Sequence, residues 1–304
     1  MSQLIRLKEE LHRVIPTLSL REQEPMSRHT TFRVGGPAAL MALPRTEEEV
    51  LTVVRTAHEL GVCPIYVGNG SNLLASDAGI DGFVVKLSDG FNQIYHEGTQ
   101  IIAEGGALLS RIASYAQKNG LSGLEFAHGI PGTLGGAVTM NAGAYGGEMV
   151  QVVKEVRYLN QQGEVCVATV EECEFSYRHS VFVDGSKLIV SAVFELQPKD
   201  PAEIQAVMDD LMSRRKEKQP LEYPSAGSTF KRPEGYFAAA LIDQCGLKGF
   251  SVGGAQVSEK HAGFVVNKGG ATCNDILELM DQVKKCVFDK TGVTLEPEVK
   301  FIGV

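Results

Sequence analysis

Three polar residues stand where a side chain would act on a bound molecule. Arg178 lies in Ser176-Tyr177-Arg178-His179-Ser180, a patch with no helical or strand period. A guanidinium there is either half of a surface ion pair or a fixed charge facing an anion. Ser228, in Ala226-Gly227-Ser228-Thr229-Phe230-Lys231, follows a proline-marked turn. Its hydroxyl either closes that turn or donates a proton, and no His or Asp lies near in sequence to make it a nucleophile. Glu298, in Leu295-Glu296-Pro297-Glu298-Val299, sits at the mouth of the last strand, as an edge charge or as a carboxylate aimed at a ligand. His261 enters the apolar stretch 262–267 and reads as a hydrogen-bonded structural histidine rather than a catalyst.

Two glycine-rich runs suggest what such side chains would act beside. In 129–147, GIPGTLGGAVTMNAGAYGG, seven of nineteen residues are glycine. Glycine lets backbone N–H groups come within van der Waals distance of a ligand, at roughly 0.5–1 kcal/mol of entropy per residue relative to alanine. The second run, Val67-Gly68-Asn69-Gly70-Ser71-Asn72-Leu73-Leu74, follows the apolar segment 63–67 and is rich in Ser and Asn donors. Neither has the Gly-Lys-Ser/Thr of a P-loop or the G-x-G-x-x-G of a dinucleotide fingerprint. Each alone would pass for a tight turn; together they read as two phosphate-cradling loops. His128 and Tyr145 bracket the longer run, either touching a ligand or covering it.

The 304 residues allow two or three domains, and 43% hydrophobic content is that of an ordinary globular chain. A net charge of −8 argues against nucleic acid as the main partner, because phosphate neutralisation needs a basic face. The exception is 214–232, with six basic residues against two acidic ones, where an anionic small molecule would be welcome. A helix end explains 214–218 equally well, but not Lys231 and Arg232. The first fifteen residues alternate apolar and charged at helical spacing and do not read as a signal peptide, and no run of about 18 apolar residues predicts a membrane span. Six cysteines, without a C-x-x-C pair or metal-ligand spacing, read as reduced cytoplasmic thiols, and no metal is expected.

The elements that must position these residues are legible in outline. Thr46-Glu47-Glu48-Glu49 is a capping box opening a helix whose stripe of Val50, Val53, Val54, Ala57 and Leu60 ends at Gly61. Strands follow at 63–67 and 83–87, a hairpin at 91–106 and a helix at 108–119 stopped by Gly120. Strands are expected near 152–159, 164–168 and 187–196, with a short helix at 170–174. Asp200-Pro201-Ala202-Glu203 starts a helix reaching about Lys218, and a domain boundary is placed at 197–201. Beyond it, helices near 236–245 and 273–290 alternate with strands near 255–257, 263–266 and 299–302, an α+β pattern.

Eight ordered motifs, TTFRVGG (30–36), YVGNGSNLL (66–74), GIPGTLGG (129–136), NAGAYG (141–146), SYRHS (176–180), AGSTFKRP (226–233), HAGFVVN (261–267) and LEPEVKFIG (295–303), resemble those of the UDP-N-acetylenolpyruvoylglucosamine reductase (MurB) family of bacterial peptidoglycan synthesis. The resemblance runs from about residue 30 to the C-terminus. It implies an α+β protein: an FAD-binding fold of the vanillyl-alcohol-oxidase type in two subdomains, 1–90 and 91–199, and a C-terminal α+β substrate domain, 200–304. It implies noncovalent FAD, since 66–74 holds no histidine, with NADPH as co-substrate and UDP-N-acetylglucosamine-enolpyruvate as substrate. By motif, FAD falls to Val67, Gly68, Asn69, Gly70, Ser71, Asn72, Leu73, Gly132, Thr133, Gly135 and Gly136 around the diphosphate, with Asn141, Ala142, Gly143 and Tyr145 near the flavin. Arg178, Ser228 and Glu298 become catalytic, Ser228 protonating C2 while Arg178 and Glu298 stabilise the enolate-like charge. Arg214, Lys218, Lys231 and Arg232 would meet the UDP diphosphate. His128 departs from the family, which often has a small residue there. The short span from Arg178 to 187 implies the family's shorter form, without its tyrosine-bearing insertion. Against this stand two rivals: a flavin oxidase or dehydrogenase of a hydroxy acid, and a nucleotide-binding regulator without turnover, which the joint presence of 178, 228 and 298 disfavours.

Overall fold

The computed structural model describes residues 2–87 and 90–303. Seven α-helices occur among them: α1 (Ser2–Val14), α2 (Glu47–Glu59), α3 (Leu109–Lys118), α4 (Leu134–Thr139), α5 (Pro201–Lys218), α6 (Ala238–Gln244) and α7 (Cys273–Thr291). The chain divides into two compact units, one of residues 1–22, 40–69 and 82–214, the other of 23–39, 70–81 and 215–304.

The two larger sheets lie wholly or mainly in unit 1. The four-stranded one runs in the order Ser19–Pro25, Pro37–Leu43, Ile80–Lys86, Pro64–Val67, and the unit boundary passes within its first three strands. The five-stranded one runs Val165–Thr169, Val153–Leu159, Leu188–Glu195, Gln100–Glu104, Ile94–Glu97. Every pairing in the second is antiparallel. Leu7 and Leu11 of α1 and Val50, Val53, Val54 and Ala57 of α2 close one core with Phe83 and Val85, and α3 and α4 close another with Ile101, Ala103 and Phe194.

Helix ends follow the residues present. The Thr46 hydroxyl accepts from Glu49 N–H at 3.2 Å, while the Glu49 carboxylate turns back one residue further than a capping box requires, to Arg45 N–H at 2.7 Å. A full box opens α7, where Thr272 and Asp275 bond reciprocally, and left-handed Gly292 closes it. The short helix expected at 170–174 is instead a single turn. Cys173 N–H reaches Thr169 O at 3.0 Å, but Glu174 then takes φ 48° and Cys173 O accepts from Val181 N–H, so the chain leaves before a second turn forms. Helix α4, within the glycine run, is not apparent from the sequence.

The compact division also differs from the expected boundary at 197–201. Ile204 and Met208 of α5 are buried in the unit 1 core, so most of that helix belongs there and the division falls at 214/215. Unit 2 packs Phe32, Val34, Leu74, Phe230 and Ile242 against the Ile276, Leu279, Val283 and Val287 stripe of α7. Its three-stranded sheet is Ser251–Val252, Ala255–Val257, Val265–Asn267, and Leu73–Ala75 pairs in parallel with Lys300–Ile302. Among the described residues no helix is long and apolar enough to cross a membrane.

Candidate functional site

In unit 1 the two glycine runs meet. Asn69 Nδ2 donates to Pro131 O at 2.6 Å, Lys86 Nζ donates to Gly68 O at 2.8 Å, and a Cβ on Gly68 would strike the Thr133 hydroxyl. Val67, which is buried, ends the strand feeding this loop. The longer run turns at Gly132, whose carbonyl accepts from Leu109 N–H, and enters α4 with Thr133 as N-cap.

Adjacent glycines in α4 have different jobs. Gly135 N–H donates to Gly105 O at 2.8 Å, and a Cβ there would lie 3.2 Å from that same oxygen. The sequence reading gave the Gly135 amide to a diphosphate; it is committed to protein backbone instead, and the glycine serves helix-on-strand packing. Gly136 is exposed, and the nearest atom to its would-be Cβ is the Thr133 hydroxyl at 3.8 Å. Here the backbone is open to a ligand.

The NAGAYG and SYRHS segments carry the remaining candidate residues of unit 1. Asn141 is 1% exposed and fully used: its amide donates to Glu148 Oε2 (3.0 Å) and Ser176 O (3.1 Å), and its oxygen accepts from Val150 N–H (3.0 Å). Its side chain therefore braces the turns rather than reaching a cofactor. Ala142 O accepts from Met149 N–H, and Gly143–Ala144 pairs with Gly147–Glu148 around Tyr145 and Gly146. Those two carry φ 54° and 89°, so the half-exposed Tyr145 occupies a left-handed position at the turn. Ser176 and His179 bond each other on both sides of Tyr177-Arg178. Arg178, at φ 55°, donates to Gly143 O at 3.4 Å and lies 5.1 Å from the Tyr177 ring centroid. Ser180 Oγ donates to Thr139 O and Thr139 Oγ1 to Gly135 O, tying both turns to α4.

In unit 2 three of the sequence motifs, 226–233, 261–267 and 295–303, meet at Thr229. This residue is wholly buried, with its N–H donating to Gly263 O (2.8 Å), its O accepting from Glu298 N–H (2.9 Å) and its hydroxyl accepting from Val265 N–H (2.9 Å). Phe230 bridges Pro297, and Lys231 N–H reaches Glu296 O. Exposed Ser228 and half-buried Glu298 thus lie on neighbouring segments of one antiparallel pairing, although they are 70 residues apart in sequence and 50 and 120 residues from Arg178. Asn72 Nδ2 donates to Glu298 O (3.1 Å) and its O accepts from Lys300 N–H, so Gly70–Leu73 serves this unit whereas Val67–Asn69 serves the other. Gly70 O accepts from Thr31 N–H, and the next residue, Ser71, is half-buried. Thr31 Oγ1 and Asn267 Nδ2 bond Ser225 O and Phe32 O. His261 is structural: its Nδ1 accepts from Gly263 N–H, its ring packs edge-on against Phe264, and burial pulls its pKa down.

The cations divide. Arg214 belongs to unit 1 and pairs with Asp210 at 2.7 Å, while Lys218, Lys231 and Arg232 belong to unit 2. Lys231 pairs with Glu296 at 3.2 Å, and the Arg232 guanidinium stands 4.6 Å from the exposed Phe237 ring. Exposed ion pairs are worth about 0–1 kcal/mol, so a diphosphate can displace either carboxylate.

Sequence reading missed Thr229, Lys86 and Asp77, whose carboxylate accepts from Cys273 and Asn274 N–H at the start of α7. Only Lys86 carried a signal, as the lone charge ending the apolar Phe83-Val84-Val85.

Residues 38–169 match the model of an FAD binding domain, and residues 219–302 match the C-terminal domain of UDP-N-acetylenolpyruvoylglucosamine reductase. An alkyldihydroxyacetonephosphate synthase structure shares the fold, with a TM-score of 0.50 over 64% of this chain and 40% of that one at 18% identity. Fold and site together define an FAD-binding oxidoreductase of the vanillyl-alcohol-oxidase type, α+β with a C-terminal α+β domain. The UDP-N-acetylenolpyruvoylglucosamine reductase of Clostridium novyi (strain NT) is 48% identical across 100% of this chain and 98% of its own length. That of Clostridioides difficile (strain 630) is 50% identical across 93% of each. The crystal structure of the Thermus caldophilus enzyme superposes with a TM-score of 0.81 at 34% identity, covering 93% of this chain and 98% of that one. The chain belongs to the UDP-N-acetylenolpyruvoylglucosamine reductase family.

The residues present suit FAD. Segments 67–73 and 129–136 contain hydroxyls, amides and glycines but no Asp or Glu to repel a diphosphate. Gly136 leaves room for one, and the buried Nδ1 of His128, at the start of the run, has no hydrogen-bond partner among the described residues.

Proposed function

We propose that this chain reduces the enolpyruvyl group of UDP-N-acetylglucosamine-enolpyruvate to give UDP-N-acetylmuramate, with NADPH as the electron source, in the cytoplasmic synthesis of peptidoglycan precursors. Overall, one hydride from NADPH and one proton saturate the C2–C3 double bond. FAD, held noncovalently by the backbone and hydroxyls of 67–73 and 132–136, supplies the hydride chemistry when bound.

The chain's own residues supply position, field and a proton. As hydride arrives at C3, negative charge builds at C2 and the adjoining carboxylate. Arg178, and Glu298 in its protonated form or sharing a proton, stabilise that charge, and the Ser228 hydroxyl delivers the proton to C2. Arg214, Lys218, Lys231 and Arg232 bind the UDP diphosphate, and Tyr145 covers the flavin ring. The observation that most supports this reading is the Glu298 N–H to Thr229 O hydrogen bond, which sets the Ser228 and Glu298 segments next to each other in a member of this family.

Anaerobic titration tests it. NADPH should bleach the flavin absorbance of the purified protein, and UDP-N-acetylglucosamine-enolpyruvate should restore it with formation of UDP-N-acetylmuramate. Restoration by oxygen but not by the enolpyruvyl substrate would overturn the reading in favour of an oxidase.

A further inference from the structure

Lys86 closes the strand Ile80–Lys86 after three fully buried apolar residues and is itself only 8% exposed. Burying an ammonium costs several kcal/mol unless it is well partnered, so its position calls for a reason. Its Nζ donates to Gly68 O at 2.8 Å, and parallel pairing of Val67 with Lys86 places the two segments side by side. A trans peptide points its N–H opposite to its C=O, and no described peptide here is cis. Drawing the Gly68 carbonyl toward Lys86 therefore turns the Asn69 N–H away from the ammonium. The Asn69 side chain fixes the same loop to Pro131 O at 2.6 Å, and Thr133 fills the space that a Gly68 side chain would occupy. Lys86 thus holds the peptide's carbonyl while Asn69 and Thr133 fix the loop on either side of it.

We propose that Lys86 is a positioning residue that orients the Gly68–Asn69 peptide so that the Asn69 N–H meets the diphosphate of FAD, and sets a buried positive charge behind that peptide. This rests on reading 67–73 and 129–136 as the FAD cradle. The charge and the oriented dipole act in the same direction on an anion, and their effect is on cofactor affinity rather than on hydride transfer.

The test is FAD affinity of the full chain, followed by flavin fluorescence released on diluting the holoenzyme, with melting temperature measured alongside. Lys86→Met should weaken FAD binding by roughly 10-fold or more, the scale of a lost charge-assisted hydrogen bond, and flatten the salt dependence of the affinity. Lys86→Arg, keeping charge and donor, should recover most of it. Should Lys86→Met fail to fold, Lys86→Gln, which keeps a donor without the charge, should give a binding loss between wild type and the tenfold mark. A Lys86→Met protein that melts lower yet binds FAD as tightly as wild type would overturn the proposal, leaving Lys86 a purely structural residue. Wild-type protein that binds no FAD would instead overturn the cradle reading beneath it.

Discussion

The candidate residues of the two units are held by different means. In unit 1, Asn141, Tyr145 and Arg178 all stand at left-handed φ of 41°, 54° and 55° without being glycine. Each such residue costs roughly 1–2 kcal/mol, and Asn141 offsets part of that with three hydrogen bonds. In unit 2, Ser228 and Glu298 sit on paired backbone beside a wholly buried Thr229, and among 226–230 and 295–299 only Gly227 takes a positive φ. Strain persists where the surroundings over-determine it. The contrast teaches that the Arg178 turn depends on a side-chain brace, whereas the Ser228–Glu298 pair depends on backbone hydrogen bonds that side-chain substitutions leave in place.

The comparison can be broken first at the glycines of α4. Gly135→Val puts two methyl groups against Gly105 O and should cost about 1–3 kcal/mol or more of stability, in the range of overpacked cores. Gly136→Val, facing open space, should keep the fold and lose FAD. Circular dichroism melts and flavin content of both variants decide it; equal FAD loss with unchanged melting in both would mean that the two glycines share one role. Next in size, Asn141→Ala should destabilise unit 1 by about 1–3 kcal/mol, because it strands buried partners including Val150 N–H. Unchanged denaturant midpoint would remove the brace from the account. The smallest effect sharpens the strain argument: Tyr145→Asn, better suited to positive φ, should raise stability by about 1 kcal/mol at most. Destabilisation would show that the Tyr145 ring contributes more packing than its backbone costs.

Elements with periodic apolar stripes and marked ends were legible in the sequence. Thr46 and Gly61 bound α2, Gly120 stops α3, Pro201 opens α5, and their apolar faces follow the 3.6-residue period. Helix α4 was hidden because Leu134-Gly135-Gly136 reads as loop when propensity is the guide, while its stability comes from burying Leu134, Ala137 and Val138. The turn at 170–174 misled in the opposite sense, since Thr169 and Glu172 form a cap with no helix to follow. Motif order pointed to the residues that gather in each unit, but not to what holds them. Glycines at 68 and 135, read from sequence as ligand contacts, also mark close approaches between protein segments, and which side of a glycine is empty depends on the packing around it. The Asp77 cap on α7 joins residues 196 and 197 positions apart, beyond any local pattern.

Ser228 as proton donor is the central claim, and stopped-flow measurement of the two half-reactions tests it most directly. Ser228→Ala should leave flavin reduction by NADPH near the wild-type rate and slow reoxidation by UDP-N-acetylglucosamine-enolpyruvate by about 100-fold or more, the usual contribution of a general acid. Glu298→Gln should slow the same half-reaction. If both variants are instead reduced slowly by NADPH and reoxidised at the normal rate, these residues serve the nicotinamide and the assignment is wrong.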